Sequence, residues 1–116
     1  AVASRSAPSD GSWIVEPALG GLRAISEIEG RNVRIYSKSG LPFDRKFPAI
    51  AAELKAMGLN AVLDGEIVKG RAPVYVVYDL LYLDGRDLRK EPLSERKRLL
   101  SATVTASASI KLSKPV

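Results

Sequence analysis

The sequence predicts an α+β domain of mostly antiparallel sheet with two main helices, and a few patterns carry that reading. From Trp13 onward strand signals dominate the first half, helical spacing occurs in two segments, and the order is strand, hairpin, helix, two strands, helix, strand. A repeated βαβ order, which would signal a parallel sheet, is absent.

Residues 1–12 are small and polar, with Pro8, Asp10 and Gly11, and read as a flexible lead-in to a domain over 13–116. They have no apolar stretch of the kind that marks a signal peptide. Trp13-Ile14-Val15 is a short strand candidate. From Leu22 to Glu29, Leu22, Ala24 and Ile28 share one face while Arg23, Glu27 and Glu29 share the other. Gly30-Arg31 offers a turn, after which Val33, Ile35 and Ser37 alternate with Arg34, Tyr36 and Lys38, completing a hairpin.

Ser39-Gly40-Leu41-Pro42 ends the strand. Phe47 to Met57 places Ile50, Leu54 and Met57 at helical spacing, with Pro48 in the first turn and Gly58 at the C-terminal cap. Ala61–Val68 returns to strand, 69–73 is a loop, and Val74–Tyr82 is rich in Val, Tyr and Leu. Leu83-Asp84-Gly85-Arg86 reads as a turn. The second helix opens at Pro92-Leu93-Ser94, with Ser94 as N-cap, Leu99 and Leu100 on the apolar side, and Glu95 to Arg98 as a solvated face. A short strand is expected at Ser109–Leu112.

Composition narrows the chemistry. The 116 residues are 46% hydrophobic and 27% charged, which suits one modest globular core. With no Cys and no His, disulfides, thiolate nucleophiles and imidazole bases are excluded. Cysteine-free composition accords with a reducing cytoplasm, and cytoplasmic localisation is the expectation. No apolar run approaches the roughly 20 residues that span a bilayer. The net charge of +5 suits phosphate-bearing partners, although a soluble domain can be basic for no such reason.

Four segments put polar residues where packing would not ask for them: Glu16–Arg23, Ser37–Gly40, Leu63–Val68 and Tyr78–Gly85. In this order they resemble the nucleotide-binding motifs of ATP-dependent DNA ligases, most closely the ligase modules of bacterial non-homologous end joining. The resemblance runs from about Trp13 to Leu100, and its most specific part is Val76–Leu100.

The resemblance implies a shortened nucleotidyltransferase fold. In the family, the first motif has the form Glu-x-Lys-x-Asp-Gly-x-Arg, and its lysine attacks the α-phosphate of ATP. Glu16, Gly21 and Arg23 match, but the lysine position is Ala18 and the aspartate position is Gly20. A methyl group has no lone pair to form a phosphoramidate, so no catalytic residue is intact and self-adenylation is not expected. By the same resemblance Glu16 reads the adenine, Arg23 sits near the ribose, Lys38 lies near phosphate or nucleic-acid backbone, Glu66 meets the ribose and helps organise magnesium, and Tyr78 stacks on adenine. ATP and magnesium are the cofactors implied.

Each motif also has a plainer structural reading. Ser37–Gly40 is a polar strand end, Asp64-Gly65 is a β-bulge beside an exposed Glu66, and Tyr75, Tyr78 and Tyr82 are β-favouring residues. Tyr78 and Tyr82 fall on one face and Tyr75 on the other, while Asp79 suits a local hydrogen-bond anchor. The family's longer segment after Asp-Gly-Glu is reduced to 69–73, and its two later lysine motifs and OB-fold domain are not found in 101–116. The expected function is therefore a ligase-like adenylation domain tied to DNA repair and end joining, without catalysis of its own. The alternatives are a non-catalytic module that binds DNA or repair proteins, or a reversible binder of adenine nucleotides, with no membrane role.

Overall fold

A computed structural model describes residues 13–15, 21–43 and 45–114, with backbone alone at 13–15 and at 114. Its elements are β1 (Trp13–Val15), β2 (Leu22–Glu29), β3 (Asn32–Ser37), α1 (Pro48–Met57), β4 (Asn60–Val68), β5 (Val74–Leu83), β6 (Arg86–Asp87), α2 (Leu93–Thr103) and β7 (Ile110–Lys114). The strands form one sheet in the order β1-β7-β5-β4-β2-β3, with β6 folded back on β5. The α+β reading holds, and the central strands are antiparallel. Both pairings of β7 are parallel, and the chain crosses over through α2 between β5 and β7.

Tight turns fix the registers. Gly30 takes φ 62° between the paired residues Glu29 and Asn32. Asp84 and Gly85 both take positive φ between Leu83 and Arg86, the geometry that Asp-Gly favours in two-residue hairpins. β6 itself was not foreseen.

One face of the sheet carries the core. Ala24 and Ile28 of β2, Ile35 of β3, Leu63 and Ile67 of β4, Tyr75, Val77 and Leu80 of β5, and Ile110 and Leu112 of β7 join one cluster. Ile50, Ala51 and Leu54 of α1 and Leu100 of α2 pack into it. Gly58 closes α1 in the left-handed conformation, as its position predicted.

The second helix corrects two expectations. Its N-cap is Pro92, with no side-chain capping bond, and Ser94 lies inside the first turn. The Pro92 carbonyl accepts from the Glu95 and Arg96 amides, the first bonds of the helix, and no side chain adds a cap. Nor is Glu95–Arg98 one solvated face. Arg96 is only 18% exposed and pairs with Asp79 at 2.8 Å, because α2 packs on β5 and brings that side of the helix to the strand.

Candidate functional site

Opposite the core, the sheet gathers a different set of side chains. Arg23 lies across from Glu66, Ile25 across from Asp64, and Glu66 across from Val76. Cross-strand partners share a face, so these side chains stand on the side away from Ala24 and Val77. Val76 is buried at 2% exposure yet lies outside the core cluster, as this placement requires.

On this face Arg23 makes a two-pronged ion pair. Its Nε donates to Asp64 Oδ1 at 2.9 Å and its Nη2 to Asp64 Oδ2 at 2.5 Å. The bond from Asp64 holds the guanidinium above its ordinary, already high pKa against the opposing effect of burial. The same guanidinium lies 6.0 Å from the centroid of the Tyr78 ring, within cation–π range. Glu66 accepts from the Gly21 amide at 2.9 Å. Thus Arg23, Glu66 and Tyr78, singled out from sequence, meet on one face.

Glu66 is not the exposed residue of the plain reading: it is 8% exposed, and Asp64 beside it 5%. Lys38 is exposed at the turn after β3 and lines, with Arg23, Ser37, Ser39 and Phe43, a shallow hollow of about 380 Å³. Glu16, Ala18 and Gly20 lie outside the described residues.

Close backbone approach builds this face. A Cβ on Gly65 would lie 2.3 Å from the Val76 carbonyl oxygen, and one on Gly21 would lie 2.5 Å from that of Ile67. Both positions demand glycine by contact. The register between β4 and β5 shifts here: Asp64 pairs with Asp79 and Gly65 with Val77, so that the shift falls at Tyr78. The irregularity foreseen at Asp64-Gly65 therefore adds its extra residue on the other strand. Tyr75 goes to the core, where its hydroxyl donates to the Ala24 carbonyl at 3.0 Å.

Asp79 acts as a local anchor. It accepts from the Leu80 amide at 2.8 Å and from Arg96 Nε at 2.8 Å. Sequence reasoning missed two partnerships, Arg23 with Asp64 and Asp79 with Arg96. The usable signal was an aspartate inside each of two apolar strands, which demands a buried cation. Among the described residues, no group of three or more potential metal-ligating side chains converges. No described helix is long and apolar enough to cross a membrane.

Comparison with known proteins follows the geometry. Residues 68–115 match the family described as ATP dependent DNA ligase domain. The chain is 32% identical, over 82% of its length, to the multifunctional non-homologous end joining protein LigD of Pseudomonas aeruginosa. It is 29% identical, over 86% of its length, to DNA ligase C of Mycobacterium tuberculosis. It spans 14% of the first protein and 35% of the second. The crystal structure of the ligase domain from M. tuberculosis LigD superposes with a TM-score of 0.74 at 28% identity, over 85% of this chain and 38% of that one. A mycobacterial DNA ligase D complexed with ATP and MES gives 0.69 at 29% identity, with the same coverage.

Proposed function

Because this chain belongs with the adenylation domains of the ATP-dependent DNA ligase family, we propose that it holds an adenine nucleotide reversibly on the Arg23–Glu66–Tyr78 face and forms no covalent adenylate. The carrying observation is the alanine methyl at position 18, where the family's first motif has its nucleophilic amine. Without that lone pair the α-phosphate meets no attacking group on this motif. What the face can still do is bind. Tyr78 offers an aromatic surface for a base, Glu66 a carboxylate for ribose hydroxyls, and Lys38 an exposed ammonium for phosphate. A mycobacterial DNA ligase D is known in complex with ATP and MES, which supports the choice of nucleotide. Magnesium would travel with the phosphates, and Glu66 is the nearest candidate carboxylate.

Intact-protein mass after incubation with ATP and magnesium tests the reading. The expected result is an unmodified chain, with ATP-dependent chemical-shift changes at Tyr78 and Glu66. A mass increase equal to one adenylate overturns it.

A second reading is favoured by charge. Net charge is +5, and exposed Arg31, Arg34, Lys38, Arg45, Lys46, Lys69 and Arg71 supply cations from β3 and from several turns and loops. On that reading the domain binds DNA, in keeping with the names of its relatives, and serves end joining beside other repair proteins. Its mark is an affinity for duplex DNA that falls steeply as salt rises.

A further inference from the structure

Two cations, Arg23 and Lys38, line one hollow of about 380 Å³, together with Leu22, Ser37, Ser39 and Phe43. Lys38 and Ser39 are exposed at its rim. The Ser37 hydroxyl accepts the Leu41 amide at 2.9 Å, and its oxygen lies 3.0 Å from that of Ser39. The Arg23 side chain is 44% exposed, yet it is not left to swing. Its Nε donates to Asp64 Oδ1 at 2.9 Å and its Nη2 to Oδ2 at 2.5 Å. Two parallel bonds to a planar fork fix the direction of the guanidinium as well as its distance. Asp64 is itself held firmly: its side chain is 7% exposed, and β4 pairs it with Ile25 on one side and Asp79 on the other. The third guanidinium nitrogen, Nη1, makes no bond among the described residues. The other carboxylate of this face, Glu66, accepts the Gly21 amide at 2.9 Å.

We propose that Asp64 is a positioning residue for a phosphate subsite in this hollow: by gripping two nitrogens of Arg23, it holds the guanidinium ready for an anion that Lys38 also meets. The proposal rests on the reading that this face holds a nucleotide, and it assigns the phosphates to this hollow. Asp64 itself touches no ligand. Two cationic side chains on one hollow call for an anion, and a guanidinium edge matches phosphate oxygens in shape. An unanchored arginine loses its rotamer freedom when it binds. The grip of Asp64 removes that freedom beforehand. The sign of the effect separates positioning from bulk electrostatics. Asp64 is negative, so by charge alone it repels phosphate, and neutralising it would tighten binding. Positioning requires the opposite.

The experiment is an NMR titration of the full chain with inorganic tripolyphosphate, adenosine and ATP, following the Arg23 Nε–Hε resonance. Wild type, Asp64→Asn, Arg23→Ala and the double variant are compared. Asp64→Asn is expected to weaken tripolyphosphate and ATP about two- to tenfold, the cost of ordering one long side chain on binding. Adenosine binding should not change. Arg23→Ala should weaken both phosphate ligands at least as much, and adding Asp64→Asn to it should bring no further loss, since Asp64 acts only through Arg23. In the free protein, Asp64→Asn should shift the Arg23 Nε–Hε resonance. Where Asp64→Asn fails to fold, Arg23→Lys keeps the charge, loses the fork and should show the same weakening. Tighter or unchanged tripolyphosphate binding by Asp64→Asn, an equal loss for adenosine, or a further loss in the double variant overturns the positioning role and leaves the nucleotide reading intact. So does ATP binding that leaves the Arg23 resonance unmoved, or displacement of tripolyphosphate by duplex DNA but not by ATP. A wild type that takes up neither ATP nor tripolyphosphate overturns the nucleotide reading and this proposal with it.

Discussion

Arg23 and Asp64 are bonded to each other although neither is the other's strand partner: Arg23 stands opposite Glu66, and Asp64 opposite Ile25. The guanidinium reaches diagonally from β2 to the neighbouring β4, which a long side chain can do on one face of a sheet. The pair is lopsided, since the Arg23 side chain is 44% exposed and that of Asp64 only 7%.

That lopsidedness makes the two single variants unequal. Asp64→Asn leaves a cation that water can reach, so it should cost about 1 kcal/mol, near the low end for a charged hydrogen bond after solvent screening. Arg23→Met leaves an almost buried carboxylate without its cation, and should cost about 2–3 kcal/mol. Urea denaturation of both variants checks the order. Equal losses would show that burial of Asp64 is not what the pair offsets.

Gly65→Ala should destabilise by roughly 1–3 kcal/mol, the usual range for overpacking. Its new methyl carbon would fall 2.3 Å from the Val76 carbonyl oxygen and 3.0 Å from the Tyr75 ring. Because the strain falls beside the Tyr78 register shift, ATP-induced shifts at Tyr78 should also shrink. Gly70→Ala is the control: nothing lies within 4 Å of its added carbon, so it should change stability by less than about 0.5 kcal/mol. Thermal or urea unfolding of the two variants distinguishes the cases.

Stability should fall on the alkaline side. Burial, and then the hydrogen bond to Glu27 at 2.6 Å, push the Tyr36 phenol from 10.0 up to about 12. Burial also pushes the Tyr75 phenol well up. A phenol held neutral in the fold but free to ionise when unfolded favours the fold fully below pH 10 and progressively less as pH rises to 12 and beyond. Urea melts at pH 9, 10.5 and 12 should trace this loss, and Tyr36→Phe should make the slope shallower. An unchanged slope would remove Tyr36 from the account.

Glu53 of α1 provides an acid-side counterpart. Burial raises its pKa, but the Ser107 hydroxyl and the Ser109 amide, the latter at 2.8 Å, outweigh that and leave it lowered. A carboxylate depressed in the fold adds stability above its unfolded pKa and loses it as pH falls through the folded value. Glu53→Gln should therefore lose about 1 kcal/mol at neutral pH and unfold with a weaker acid dependence. Denaturant midpoints from pH 7 to pH 3, against wild type, measure it.

Much of the scaffold was legible in the residues. The β2–β3 hairpin declared itself through alternation around Gly30-Arg31, and α1 through Ile50 and Leu54 between Pro48 and Gly58. Both depend on neighbours close in the chain, where periodicity and turn chemistry speak directly. The motifs also brought Arg23, Glu66 and Tyr78 to attention before any fold was in hand. The Ser94 cap failed because the extended backbone is at Pro92, so the helix starts at Leu93 and Ser94 already lies inside its first turn.

By itself the sequence determined the α+β class and the main strands and helices. Only the tertiary structure decided that Asp64 belongs to Arg23, that Asp79 belongs to Arg96, and that Tyr75 serves the core while Tyr78 stands on the opposite side. Those pairings join residues 41 and 17 positions apart, the first between β2 and β4 and the second between β5 and α2. Local patterning cannot carry that information, because which charge meets which depends on how strands separated in the chain slide and align.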